Sequence, residues 1–117
     1  MKNETIPFST ILKKLHVGPH RKGYIYLKET LEMIDSGKCY LLKESYNILS
    51  EKYDTSFDAI EMCIRRSIRE GINECTKETR IEVFGYDVEI EPRSGRNYYM
   101  IREFVPNVIQ YVREHNS

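Results

Sequence analysis

The sequence predicts an all-α domain of about six helices around a central helical pair, and three observations carry that expectation. Apolar residues recur at spacings of three and four through most of the chain, the mark of helices with one buried face. The clearest such stretch, residues 56–71, separates an apolar arc from a charged arc on the helical wheel. Turn residues stand at the ends of the first two stretches, at Gly18-Pro19 and at Gly37. Residues 81–91 resist this reading, and a short extended segment or β-wing stays open there.

Taken in order, the first helix is expected over Ser9 to His16, capped by Ser9, with Ile11, Leu12 and Leu15 inward and Gly18-Pro19 ending it. A second runs from about Arg21 to Ser36 on a stripe of Tyr24, Leu27, Leu31 and Ile34, with Gly37 placed to cap its C-terminus. A third fits Leu41 to Tyr53, with Leu42, Tyr46, Leu49 and Tyr53 on one side, and Asp54-Thr55-Ser56 interrupts it. Thr55 or Ser56 caps the fourth, and Asp58 complements the positive end of its dipole. Ile60, Cys63, Ile64, Ser67, Ile68 and Gly71 share the buried arc of that helix. Met62, Arg65 and Arg69 face the other way, with Asp58 and Arg66 at the borders.

The C-terminal third reads two ways. Ile81, Val83, Val88 and Ile90 partly alternate with Glu82, Asp87, Glu89 and Glu91, and Pro92 to Arg96 can turn a hairpin, which makes a β-wing over residues 80–102. The competing reading is a short helix from Thr76 to Phe84 capped by Gly85, then a last helix from Asn97. That helix would be apolar at Met100, Ile101, Phe104, Val108, Ile109 and Val112, and Pro106 would kink it or break it in two.

Composition bounds the function. The 117 residues suit one domain, and 40% hydrophobic with 31% charged residues is a folded rather than a disordered balance. No stretch approaches the roughly 20 apolar residues that span a bilayer. The first ten residues lack a hydrophobic signal core, so the expected location is the cytoplasm, with no membrane partner. Cys39, Cys63 and Cys75 are odd in number and form no CxxC, which points to reduced, partly buried thiols. Net charge is zero, which excludes a polycation but leaves room for one basic face. The charge is uneven: residues 1–28 are basic apart from Glu4, and residues 74–91 carry six acids against Lys77 and Arg80.

Catalytic signatures are absent: the chain has no GxxxxGK[ST], GxGxxG, GxSxG or HExxH. It reads as no enzyme, with no catalytic residue and no cofactor. His16 and His20 stand four apart, but Gly18-Pro19 lies between them, so no shared helix face and no metal site are expected.

The stretch that rises above background is YNILSEKYDTSFDAIEMCIRRSIREG, Tyr46 to Gly71. It reads as helix, tight polar turn and amphipathic helix, the helix-turn-helix plan. The DNA major groove, about 12 Å wide, admits one helix while the preceding helix braces it across the backbone. Arg65, Arg66 and Arg69 on the outward face can reach guanine edges or phosphates. Two packed helices with a solvated charged face fit the same pattern, and on residues alone both readings stand.

GPHRKGYIYLKETLEMI, then SEKYDTSFDAIEMCIRRSIREG, then VFGY, resemble in collinear order the C-terminal DNA-binding domain of the master response regulator of bacterial sporulation. The resemblance covers roughly residues 11–105. Its most specific parts are His20 with Lys22-Gly23-Tyr24 and Tyr26-Leu27, the helix-turn-helix, and Phe84-Gly85-Tyr86. It implies six helices with a central helix-turn-helix, and favours helix over β-wing for residues 97–115. It also implies double-stranded DNA as partner, read at short promoter boxes, in tandem head-to-tail pairs, with contact to the sigma subunit of RNA polymerase. A phosphorylated receiver domain precedes this one in the full regulator. The present length leaves no room for it, so the chain is expected to be an excised domain or a stand-alone relative, and Met1 with its untagged lead favours the second.

By position, the resemblance makes Ser56 to about Gly71 the recognition helix, with Glu61 and Arg65 matching family residues that face DNA. Met62 stands where the family has an arginine that reads guanine, Ala59 replaces a basic residue, and Arg66 replaces histidine. Losing a bidentate arginine–guanine contact costs about 1–3 kcal/mol of discrimination. The expected DNA-binding set is therefore Thr55, Ser56, Asp58, Glu61, Met62, Arg65, Arg66 and Arg69, with Lys22 and Lys52 as phosphate contacts. The alternative is a module that keeps the fold, has lost DNA reading, and binds RNA polymerase or another regulator through Met62 and the acidic stretch at 74–91.

Overall fold

The computed structural model describes residues 7–88 and 96–115, with side chains in the second stretch from Glu103 onward. Six helices follow in order: α1 (Phe8–Lys14), α2 (Tyr24–Asp35), α3 (Leu42–Lys52), α4 (Phe57–Glu74), α5 (Lys77–Phe84) and α6 (Arg96–Glu114). Among the described residues there is no strand, so residues 81–84 belong to a helix and not to a β-wing. Gly85, at φ +88, caps α5 in the left-handed region that a glycine enters without steric cost. The expected hairpin turn from Pro92 falls mainly outside the described residues.

α2, α3 and α4 pack on one another in a triangle, with α1 and α6 closing it and α5 resting on α6. One continuous core runs through all six helices, from Leu12, Leu27 and Leu49 to Ile60, Ile64 and Phe104. Two polar contacts are built into it. Thr30 on α2 and Ser45 on α3 share a buried hydrogen bond at 3.2 Å. The Gly23 amide, at the start of α2, donates to the Ser67 hydroxyl of α4 at 2.9 Å.

Four helices, α1, α2, α4 and α6, depart from expectation. α1 starts at Phe8 and is capped by Pro7, not Ser9, because buried Phe8 extends the inward stripe of Ile11, Leu12 and Leu15 by one turn. It stops at Lys14, and His16 beyond it adopts a left-handed φ of 64°. α2 starts at Tyr24 rather than Arg21, since residues 18–23 form a turn whose Gly23 amide is drawn to α4. α4 runs through Gly71 to Glu74. Gly71 is there for close packing: a β-carbon on it would lie 2.7 Å from the Leu15 carbonyl oxygen. α6 continues across Pro106, which is exposed and does not break it.

The thiols of Cys39 and Cys75 are buried, which raises their pKa, and Cys63 is half-buried. Among the described residues no helix is long and apolar enough to cross a membrane.

Candidate nucleic-acid interface

α3 and α4 are joined by four residues. Asp54 takes a left-handed φ of 53°, tolerable for a short polar side chain, and the Thr55 amide donates back to the Ser50 carbonyl at 2.9 Å. Ser56 then caps α4, its hydroxyl accepting from the Ala59 amide at 3.0 Å. Across the turn Tyr46 meets Phe57 edge to face, ring centroids 5.5 Å apart, which sets the angle between the helices from inside.

α4 turns Ile60, Ile64, Ser67, Ile68, Gly71 and Ile72 into the core. On the opposite side Met62 is 53% exposed, an unusual position for a large apolar side chain. Asp58 and Arg66 are exposed, Arg69 is half-buried, and Thr55 and Ser56 are exposed ahead of them. Positions 58, 62, 65, 66 and 69 are spaced by threes and fours and so form one face. Glu61 and Arg65 are partly covered and bridge each other at 3.2 Å, one turn apart. That pairing orients Arg65 along the helix, with the glutamate on the N-terminal side, the better order against the dipole.

The two lysines expected at phosphates differ. Lys22 is exposed, and among the described residues it has no acidic partner. Lys52 is bonded to Glu29 at 2.7 Å and lies over the Tyr53 ring, while the Tyr53 hydroxyl donates to the same carboxylate. Glu29 accordingly raises the Lys52 pKa above its ordinary value. This cluster ties α2 to the end of α3, so Lys52 is already engaged in the fold.

The acidic stretch is not a free surface either. Glu74 bonds Arg21, Glu82 bonds Lys14 and Tyr111, and Asp87 bonds Arg80. Glu78 is exposed, and Glu89 and Glu91 lie outside the described residues. Helix packing brought Glu74 and Glu82 to basic partners distant in sequence, which linear charge counting does not register.

Sequence reading missed an apolar groove of about 1020 Å³ at the end of α3 away from the turn. Its apolar lining is Ile34, Leu41, Leu42, Val105, Pro106 and Ile109, and Lys43, Gln110, Arg113 and Glu114 line it too. Leu41 is 52% and Tyr40 83% exposed at its edge. The two consecutive apolar residues just before α3 were its only sequence signal.

The domain is thus all-helical, with the α3–α4 pair at its centre and an arginine-bearing outward face on α4. The family model described as sporulation initiation factor Spo0A C terminal matches residues 8–108, and the chain belongs to that family. It is a family of DNA-binding domains of a sporulation transcription factor, not of enzymes. No solved structure matches the chain.

Proposed function

We propose that this domain reads short double-stranded DNA boxes in promoters by laying α4 in the major groove, and so regulates transcription. The observation that supports the reading best is the outward face of α4, where exposed Met62 stands among Arg65, Arg66 and Arg69 on a helix braced from behind by α3. Arg65, oriented by Glu61, and Arg69 address base edges or phosphates. Met62 offers its thioether chain to a thymine methyl, which moves preference at that step from G·C to A·T. Thr55, Ser56 and Asp58 sit at the entry of the helix, and Lys22 meets the backbone. Lys52 would meet a phosphate while sharing its ammonium with Glu29.

A second copy bound head to tail on a neighbouring box, and the sigma subunit of RNA polymerase, are the partners this reading carries with it. The competing reading, a fold that has lost DNA recognition and binds protein, draws on the apolar groove and not on the acidic stretch. The groove lies one α3 length, about 16 Å, from the turn, so both surfaces can be used at once.

Selection from a random duplex pool, followed by anisotropy on the enriched boxes, tests the proposal. Enrichment of a short box, with affinity falling steeply with salt, is expected. Arg65→Ala should lower affinity and relax the box preference. No duplex binding at about 50 mM salt, where even non-specific phosphate contacts register, would leave the protein-binding reading in its place.

A further inference from the structure

We propose that the loop from Gly18 to Lys22, together with Arg66, forms a second DNA contact: a clamp for a backbone phosphate beside the groove that α4 enters. The proposal rests on the DNA reading above and assigns Arg66 to the backbone rather than to a base.

The loop is fastened along one flank of α4 at two levels. Gly23 sits so close to α4 that a β-carbon on it would stand 2.3 Å from the Cys63 carbonyl oxygen, and its amide bonds the Ser67 hydroxyl. One turn further on, the Arg21 guanidinium bridges Glu70 at 2.8 Å and Glu74 at 2.7 Å, with its side chain only 13% exposed. Arg21 is thus a fastening, and it holds both carboxylates of this flank.

Those two fastenings bring His20, Lys22 and Arg66 to the rim of one small cleft of about 220 Å³, lined also by Cys63, Ser67 and the ion-paired Arg21 and Glu70. Lys22 and Arg66 are exposed, and among the described residues neither has an acidic partner, because Glu70 and Glu74 are taken by Arg21. The His20 ring lies against Gly18, where a β-carbon would approach its Nδ1 to 3.2 Å, so the glycine makes room for the ring. An ammonium, a guanidinium and an imidazole around one opening form a donor set for a phosphate oxyanion.

Position on the helix supplies the rest. Arg66 lies about 40° around α4 from Met62, toward the Cys63–Ser67 flank. With Met62 directed at the base edges, that flank faces a wall of the groove, where the sugar–phosphate backbone runs. The loop adds Lys22 and His20 on the same side.

The test measures anisotropy of the whole chain on its selected box and on an unrelated duplex across about 50–200 mM salt. Lys22→Ala and Arg66→Gln should each weaken both DNAs alike, by about 3–10-fold, and each lower the slope of log affinity against log salt by about 1. The ranking of boxes should not change, and thermal melting confirms that these exposed substitutions leave the fold intact. His20→Ala should weaken both DNAs by a smaller factor. A box-selective wild type whose variants keep the full slope overturns the clamp and leaves the DNA reading standing. A changed box preference in Arg66→Gln overturns the backbone assignment in favour of a base contact. A wild type that binds no duplex overturns both.

Discussion

Gly23→Ala is the substitution to which this fold should be most sensitive for its size. Gly23 has φ −84° and ψ 1°, a conformation any residue adopts, so the cost is entirely one of space. The added β-carbon meets the Cys63 carbonyl oxygen at 2.3 Å and the Ser67 hydroxyl at 2.6 Å. The hydroxyl can rotate away, but the carbonyl is fixed in the α4 ladder. Overpacking of this kind costs about 1–3 kcal/mol. Forcing the loop off α4 also breaks the buried bond from the Gly23 amide to Ser67, about 1 kcal/mol more. Alanine stiffens the unfolded chain and offsets about 0.4–1 kcal/mol of this. The net is a loss of roughly 2–3 kcal/mol, or about 10 °C in melting temperature for a domain of this length. Urea denaturation followed by circular dichroism reads it directly. Adding Ser67→Ala removes the 2.6 Å contact and leaves the 2.3 Å one, so the double variant should be no more stable than the single. A Gly23→Ala unfolding free energy within about 0.5 kcal/mol of wild type, the range of an ordinary surface change, would refute the packing argument.

Three further outcomes follow from the same geometry. Ser45→Ala should cost about 1–3 kcal/mol by stranding the buried Thr30 hydroxyl, whereas Thr30→Val should cost less because Ser45 still donates to the Leu42 carbonyl at 2.7 Å; equal losses in paired denaturation curves would contradict this. Glu82 is held below its ordinary pKa of 4.5 by its hydrogen bonds from Lys14 and then Tyr111, so its contribution is complete above that pH and drains away as pH falls through the depressed value. Melting temperatures should therefore fall more steeply below about pH 4.5 for wild type than for Glu82→Gln, and parallel curves would count against the linkage. Met62→Arg should create a preference for guanine at one step of the selected box, about 1–3 kcal/mol of discrimination, with unchanged base preference as the contrary result in a repeated selection.

Much of the helical plan was legible because apolar spacing reports burial directly. Leu27 and Leu31, Tyr46 and Leu49, and Ile60, Ile64 and Ile68 all lie in the core where the three-and-four pattern put them. Ser56 caps α4 as its residue type and place suggested. The errors lie at ends, where local signals compete. Ser9 is a good cap by chemistry, yet burial of Phe8 outweighed it and moved the start of α1 back. The recognition helix was expected to end at about Gly71, but it continues to Glu74, with the missing β-carbon of Gly71 serving the close approach of the Leu15 carbonyl. Pro106 occupies an exposed position in α6 and does not break that helix in two.

The candidate site divides along the same line. The sequence by itself determined which residues share the outward face of α4, because helical periodicity assigns faces from spacing alone, and it carried the family resemblance that the family match bears out. Only the tertiary structure decided which charges are available. Lys22 and Lys52 look alike in the sequence, but Lys52 is bonded to a carboxylate 23 positions away and Lys22 is not. Glu74, Glu82 and Asp87 look like parts of one patch, but they are taken by Arg21, Lys14 and Arg80. The loop at residues 18–22 became part of α4's flank through a glycine contact 40 residues away along the chain, from Gly23 to Cys63. Faces follow from local geometry, whereas pairing between distant charges depends on where folding brings them, and that is written in the packing of helices rather than in any one of them.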